Sequence, residues 1–506
     1  MATVVTWIAE SVLETLQVSG MTLQTFLVFC TVFLLAYILL KRPRNLPPYP
    51  AGRVPVLGHL LALGRAPHLK LTAWRRQYGD VLTVRMGMED VVVLNGYATV
   101  KDALASEKFA SRPPNFMQDS CFGFGEDMGT APWGTKLKQS RRFASATLKT
   151  LGMKVGPGSI EESIREEAGY VRNRIVEYDG QPFDVTNDVY VVAANIVCCM
   201  TFGKRYEYDD KTFLGLAKAI DHVFAEIGAG QTISAFPLLR FVPGINRAYK
   251  EMLRQDARID KVLWDEIARH RENLDRENPR DYLDFCLLEL EQKGKVEGLT
   301  EENVMYMAKN FFFAGVQTTA VVLRWSLLHM TLNPDIQKKV QEELDGVVGK
   351  NLPTLAHRSQ LPYVNACLQE VMRVRTLVPF SIPHATTQEV KVHGYDIPKG
   401  TQVLPNLYSL HMDPAYWPDP DLFEPERFLD AEGNVINNPD SFMPFSAGRR
   451  VCVGEQLARM EIFLFFSALL QSFTFKTPEG APPPNSDGVL GIELKPHPFQ
   501  LCAILR

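Results

Sequence analysis

Residues 445–454 read Phe445-Ser446-Ala447-Gly448-Arg449-Arg450-Val451-Cys452-Val453-Gly454. One thiol stands between two glycines, with Arg450 two positions before it and a long apolar helical run, Leu457 to Leu470, directly after it. Glycines on both sides let the backbone fold tightly and pass close to a flat object. Such a loop would aim N–H groups at the sulfur, and the following helix would present its positive end to it. Both favour a thiolate over a thiol. A thiolate held against a buried plane is the axial donor that a haem iron needs. For an isolated cysteine the plain alternative is a buried thiol packed as a small hydrophobe.

Phe445, Gly448, Arg450, Cys452 and Gly454 together match F-x-x-G-x-R-x-C-x-G. This resembles the haem-binding signature of the cytochrome P-450 superfamily. The resemblance implies a mainly α fold with a small β region, a triangular helical prism around haem b, with Cys452 as the axial iron ligand.

The chain has 506 residues, 46 % of them hydrophobic, which is enough apolar mass for a sizeable core. Its net charge of −4 gives no reason to expect nucleic acid as a partner. Cysteines at 30, 121, 198, 199, 286, 367, 452 and 502 form no regular framework and no C-x-x-C pair, which suits a reducing compartment.

Residues 21–40, MTLQTFLVFCTVFLLAYILL, carry no charge over 20 positions, enough to cross a bilayer core as a helix. Glu10 and Glu14 precede this stretch, and Lys41, Arg42 and Arg44 follow it. The positive flank should stay cytoplasmic, so a single-pass N-terminal anchor would leave the bulk of the chain in the cytosol. A cleaved signal peptide would need a shorter apolar core, basic residues in front and a small-residue cleavage site. The expected division is therefore a lead and anchor over 1–45, a proline-rich hinge over 46–52 (Leu46-Pro47-Pro48-Tyr49-Pro50-Ala51-Gly52) and a single catalytic domain over 53–506. The hinge also resembles that of microsomal P-450 proteins.

Val81–Val84 and Val91–Leu94 predict a hairpin around Gly87. Helical periodicity dominates from about 98 to 350, with breaks at Pro113-Pro114, Gly156-Pro157-Gly158, Pro237, Pro243-Gly244 and Pro334. Strand signals return at Glu389–Val392 and Thr401–Leu404. Residues 413–426, rich in Pro, Asp and aromatics, predict an irregular meander.

Glu370 and Arg373 lie three apart on a predicted helix, on one face. A surface ion pair is the plain reading. With Pro425-Glu426-Arg427-Phe428, however, they resemble the E-x-x-R and P-E-R-F elements of the family. That implies a buried triad of Glu370, Arg373 and Arg427 locking the meander and the cysteine loop.

Residues 311–319 read FFFAGVQTT. Phe311, Ala314, Gly315, Thr318 and Thr319 fall on one helical stripe, where the small Ala314-Gly315 pair would open space. A core helix with small residues for close packing reads the same way. The stripe resembles the family's A-G-x-(D/E)-T-T pattern, which implies oxygen and substrate beside it and the Thr318 hydroxyl near the reacting oxygen. The acid position holds Gln317. A carboxylate can relay a proton, whereas an amide orients water or a hydroxyl.

The family's W-x-x-x-R element aligns on Arg141, which puts Leu137 where tryptophan is expected and Trp133 one turn earlier. The resemblance makes Arg141, His384, Arg112 and Arg450 candidate partners of the haem propionates, whose two negative charges call for several donors. Lys136, Lys138, Arg142 and Arg449 are either a solvated basic face or a docking patch for an acidic redox partner.

IPHATT (382–387), PFSAGRRVCVGEQLARMEIF (444–463) and IEESIREEAGYV (160–171) look most like the animal microsomal, family-2-like clan, whose members metabolise drugs, fatty acids and steroids. The implied reaction is monooxygenation of an apolar small molecule, with O2 as cosubstrate. Electrons would come from NADPH through cytochrome P-450 reductase, with cytochrome b5 as a further possible donor, at the endoplasmic reticulum membrane. By analogy the substrate pocket draws on 111–128, 210–245, Phe311–Thr319 and Val378–Ile382. Within these, Phe116, Phe122, Phe124, Phe224, Phe311, Val378 and Phe380 suggest an apolar substrate. Two other classes compete: a haem-thiolate isomerase or dehydratase acting on a lipid hydroperoxide, which Gln317 favours and Thr318 opposes, and a non-catalytic haem carrier or sensor.

Overall fold

Residues 22–40, 45–123, 125–152, 159–229, 231–292, 294, 296–437 and 439–506 are described by a computed structural model. The lead 1–20, the flank Lys41, Arg42 and Arg44, the break 156–158 and Phe124 lie outside the described residues.

Among the described residues, twelve helices exceed ten residues. They are α1 Leu23–Leu40, α2 Pro67–Tyr78, α3 Thr135–Gly152, α4 Ile160–Val176, α5 Thr186–Phe202, α6 Lys211–Ala229, α7 Arg247–Glu272, α8 Tyr282–Gln292, α9 Glu301–Leu332, α10 Pro334–Val347, α11 Pro362–Val374 and α12 Glu455–Ser472. Local chemistry sets several boundaries. Thr300 and Asn303 form a capping box at the start of α9, which satisfies two otherwise orphaned donors. Pro334 ends that helix and opens α10 from its first position.

α9 runs through the centre of the molecule. It is long and apolar enough by composition to cross a bilayer, but most of it is buried, so it is a core helix. α5, α7 and α12 pack along it, α4 packs on α5 and α12, and α6 packs on α7. The 32 residues of α9 carry the stripe Phe311–Thr319 past the loop that precedes α12.

The strands are fewer and form the periphery. β1 (Val81–Met86) and β2 (Glu89–Leu94) make the expected hairpin, with Val81 opposite Leu94 and Val84 opposite Val91. β3 (His384–Ala385) and β6 (Gln402–Pro405) join them in the order β1-β2-β6-β3, with β6 parallel to β2. Three small antiparallel pairs complete the set. β4 (Val390–Val392) pairs with β5 (Tyr395–Ile397), β7 (Phe473–Lys476) with β10 (Cys502–Leu505), and β8 (Gly488–Leu490) with β9 (Leu494–Pro496).

The proline-rich hinge is held against this sheet. Prolines offer carbonyls without N–H groups, and those carbonyls find donors here. Thr83 donates its N–H to Pro48 O and its hydroxyl to Pro47 O, both at 2.9 Å. His59 Nε2 lies 2.9 Å from Pro50 O. The hinge is therefore fixed to the first strand of the fold rather than free to swing.

Candidate active site

Cys452 sits at the end of a tight loop, closed by its own N–H donating to Phe445 O at 3.1 Å. α12 begins three residues later, and the N–H groups of Gly454 and Glu455 point at the sulfur. Cys452 is accessible, but its open side faces an internal cavity of about 310 Å³. Burial pushes the thiol's pKa up, while the two N–H groups and the charge of Arg141 pull it back. The loop thus supplies the donors the sequence suggests, and burial opposes them; a coordinating metal deprotonates such a thiol outright.

The two glycines of the signature have different tasks, and Gly448 does not have the one expected. Gly448 has φ +70°, and a Cβ there would come 1.8 Å from Leu104 O. It makes room for the backbone of the helix 97–105, not for a flat ligand. Gly454 and Phe445 do line the cavity.

Phe311, Ala314, Gly315, Thr318 and Thr319 of α9 line the same cavity as Cys452. The Thr318 hydroxyl donates to Ala314 O at 2.5 Å. Gly315 does more than open space: a Cβ on it would come 2.7 Å from Val197 Cγ2, so the glycine lets α5 approach α9. Gln317 turns away from the cavity into a buried polar group with Tyr190, Asp221 and Glu493.

Arg112, Arg141 and Arg450 crowd one edge of the same cavity. Arg112 donates to Gly129 O (3.0 Å) and Ile382 O (2.8 Å), and Arg450 to Ala110 O (2.7 Å). Arg141 donates to Val451 O at 2.5 Å, tying α3 to the cysteine loop. Burial drives Arg450 down to about 9, with Arg141 adding repulsion, and burial also pushes Arg112 and Arg141 down. Asp127 is the carboxylate that faces Arg112 and Arg450. His384 donates from Nδ1 to Phe109 O at 2.6 Å, which leaves its buried Nε2 without a partner. Burial takes this imidazole down to about 3. Two buried guanidiniums, Arg112 and Arg450, and the half-buried one of Arg141, with too little negative charge among them and beside an orphaned imidazole nitrogen, fit a dianionic group such as the two propionates of haem. With Cys452 facing the same space, the residues present fit that cofactor.

Leu137 is buried in the helical core, and Trp133 stands outside it, its indole N–H 3.4 Å from Glu107 and its ring 5.7 Å from the Arg450 guanidinium. The tryptophan therefore does not supply the donor that Leu137 lacks.

The expected pocket residues divide. Phe311 and Val378 line the cavity; Phe116, Phe122 and Phe380 do not. Phe116 packs on Tyr249 (5.3 Å) with the Arg240 guanidinium over it, and Phe122 packs edge-on to Phe313 (5.0 Å). Phe224 joins that Phe313 cluster at 5.6 Å. Phe380 packs against the β1–β2 side of the molecule, near Leu71 and Trp74. These rings satisfy helix-to-helix and helix-to-sheet packing, which apolar composition alone cannot distinguish from a ligand wall. Sequence reading missed Val197, Met200, Asn310, Met372, Leu377 and Glu461, which do line the cavity. Glu461, nine residues after Cys452 on α12, lies against Thr319, has one oxygen without a partner, and is raised by burial to about 8. A wider open cleft of about 720 Å³, between Leu355, Asn365, Asn434 and Arg459, holds none of the sequence-selected residues.

Glu370 and Arg373 form a doubly hydrogen-bonded pair at 2.7 Å, both fully buried. Arg427 is looser, 3.6 Å from Glu370, and its closer contacts are Glu424 (2.9 Å) and Asp419 O (3.0 Å). The basic face near the cysteine loop is partly neutralised: Lys136 pairs with Glu126, and Lys138 and Arg449 both with Glu107.

The family profile described as Cytochrome P-450 matches residues 47–503. Cytochrome P-450 2D9 of Mus musculus is 36 % identical, over 96 % of this chain and 98 % of its own length. Vitamin D(3) 25-hydroxylase of Sus scrofa is 39 % identical, over 94 % and 97 %. Cytochrome P-450 2J2 of Homo sapiens is 36 % identical, over 95 % and 96 %. A thiol facing a stripe of small residues, on a chain that aligns end to end with these enzymes, belongs to a haem-dependent monooxygenase: this protein is a member of the cytochrome P-450 family, with its family 2 branch.

Proposed function

We propose that this enzyme inserts one atom of O2 into an apolar, lipid- or steroid-sized molecule, with electrons drawn from NADPH through a flavoprotein reductase. The observation that carries the reading is that Cys452 and Thr318 line one cavity together with Arg112, Arg141 and Arg450. Haem held there by Cys452 would supply the O2 activation that the reaction needs.

The chain's own residues then have separable tasks. Arg112, Arg141, Arg450 and His384 would hold the propionates and orient the ring. Phe311, Ala314, Val378 and Leu377 give an apolar wall that selects carbon-rich substrates and excludes water. Thr318 would hold a hydroxyl where protons are needed. One relative is named Vitamin D(3) 25-hydroxylase, and a carbon-rich substrate of that kind is what this apolar wall suits.

The helix α1, followed by a hinge fixed on β1, supports anchorage in the endoplasmic reticulum membrane. Leu238 and Phe241, 76 % and 68 % exposed, with Val242 and Ile245 beside them, form an apolar surface that a bilayer would cover. With Lys136, Lys138 and Arg449 already paired, their cations form an interspersed surface rather than a single-sign patch, so a reductase or cytochrome b5 would dock on mixed charge.

The reduced protein with carbon monoxide tests the ligand. The wild type should show the thiolate-type band and Cys452→Ser should lose it; an unchanged band removes the assignment. Turnover with NADPH and reductase, set against turnover with a lipid hydroperoxide alone, separates monooxygenation from isomerisation.

A further inference from the structure

The open cleft of about 720 Å³ lies between α11, α12 and the turn Leu355–Gln360. Its size falls within the roughly 300–1,000 Å³ of small-molecule sites. Only Met372 and Ile462 line both this cleft and the cavity of Cys452, so the two are separate spaces with one shared apolar wall.

The charges of the cleft do not balance. Its lining holds two guanidiniums, Arg358 and Arg459, and one carboxylate, Glu455. That carboxylate is already engaged, its Oε1 accepting from Arg459 Nε at 2.9 Å. Arg358 donates from Nε to Asn365 Oδ1 at 3.1 Å, and Asn365 donates back to Arg358 O at 2.8 Å. A neutral amide thus orients this guanidinium. Burial and the repulsion of Arg459 push the Arg358 pKa down, and no carboxylate offsets them. The terminal nitrogens of both arginines have no hydrogen-bond partner among the described residues.

Gln369 gives a second and independent sign of a ligand. It stands on α11, lines the cleft and is 8 % exposed. Its amide makes no hydrogen bond among the described residues. A buried polar group left unpaired costs about 1–3 kcal/mol, so this amide calls for a partner from outside the chain.

We propose that this cleft is a binding site for a phosphate monoester, held by Arg358, Arg459 and Gln369. Three donor groups from three segments of chain line one space. A tetrahedral oxyanion offers oxygens in enough directions to meet all of them, whereas a planar carboxylate is matched by a single guanidinium fork. Leu368, Met372 and Ile462 give the cleft an apolar side, which suits an organic group on the ester. A nucleoside monophosphate combines the two features. Free phosphate has the same charge without the organic group.

The test titrates full-length holoprotein by calorimetry, at one ionic strength, with adenosine 5′-monophosphate, inorganic phosphate and adenosine. The nucleotide should bind saturably at one site, phosphate more weakly and adenosine not at all. Phosphate binding as tightly as the nucleotide also supports the oxyanion site and assigns it to free phosphate. Arg358→Gln and Arg459→Gln should each weaken binding about tenfold, and Gln369→Leu about fivefold. Arg459 packs over the Phe445 ring of the cysteine loop at 4.8 Å, so its variant can lose haem as well. Arg358→Gln and Gln369→Leu are therefore the deciding variants, with haem content and the ligand-free thermal midpoint showing that they fold. Absence of saturable binding, adenosine binding as tightly as its monophosphate, or an affinity unchanged in both deciding variants overturns the proposal. A wild type that binds no phosphate, with variants that lose affinity for the reductase, assigns the cleft to an acidic protein partner and overturns it likewise.

Discussion

His411 joins the buried charge pair of α11 to the cysteine loop: its Nε2 accepts the Met443 N–H at 3.0 Å, and its carbonyl accepts from Arg373 at 2.8 Å. Arg373 also holds Leu422 O at 3.2 Å, while Glu370 accepts the Glu424 N–H at 2.9 Å. The Glu370–Arg373 pair is thus a bracket for the meander, and the meander carries the loop that ends at Cys452. Removing one partner strands a buried charge. Arg373→Met and Glu370→Gln should each cost about 3–5 kcal/mol. Haem content after purification and the denaturation midpoint measure this. A variant with full haem content and a wild-type midpoint would show that the pair does not hold the loop.

His411 is neutral for a reason that has a pH consequence. Burial, with the Arg373 charge added, lowers its pKa to about 3. Burial does the same to His329, with Arg375 adding repulsion, and takes His68 to about 4. The unfolded chain protonates these imidazoles near pH 6.5, and the folded chain does not. The unfolded state therefore binds more protons as pH falls below 6.5, and stability falls with it, until the folded groups also protonate near pH 3 to 4. Each group contributes up to about 1.4 kcal/mol per pH unit in that window. Urea midpoints at pH 7, 6 and 5 should drop progressively, and His329→Gln should remove about one proton from the slope. A slope indifferent to His329→Gln would mean that the imidazole takes up its proton in the folded protein as readily as in the unfolded chain.

Gly315 and Val197 are complementary. A Cβ at 315 would meet Val197 Cγ2 at 2.7 Å, closer than carbon atoms approach. Gly315→Ala should separate α5 from α9 and cost about 1–3 kcal/mol as an overpacked core. Val197→Ala in the same chain should recover most of that loss, because it removes the clashing methyl groups. Thermal melts of the single and double variants form the cycle, and additive losses would sink the idea.

What the sequence shows depends on how local the signal is. The Cys452 loop, the α9 stripe and the β1–β2 hairpin are legible because each is set by neighbours within a few turns of chain. The partnership of β6 with β2 is not, because it joins residues some 300 positions apart. Thr401–Leu404 looks like a strand in the sequence, but nothing local says that it lies parallel to Val91–Leu94. Gly448 shows the limit differently: the need for glycine is readable, while its cause, the backbone at Leu104, is not. Glu493 has no motif at all, and only the fold brings it to Gln317.

Phe311 and Phe380 look alike in the sequence and differ in position. Phe311 lines the cavity; Phe380 packs near Trp74 on the sheet side. Phe311→Ala should enlarge the cavity and change the spectral binding constants for apolar probes such as testosterone and lauric acid. Phe380→Ala should lower the thermal midpoint and leave those constants near wild type. The reverse pattern would move the ligand wall to the sheet side.

Glu461 sets a pH dependence of the opposite sign. Burial raises it to about 8, so the folded protein keeps a proton that the unfolded chain releases above about pH 4.5. The folded state binds more protons across that interval, and stability falls as pH rises from about 4.5 to 8, by up to about 1.4 kcal/mol per pH unit. Glu461→Gln keeps the shape and the contact with Thr319 and removes the titration. The variant should gain on wild type steadily between pH 5 and 8, by several kcal/mol at the upper end. Guanidinium midpoints of the two proteins across that range give the comparison. A constant difference would mean that Glu461 ionises in the folded state as readily as it does in water.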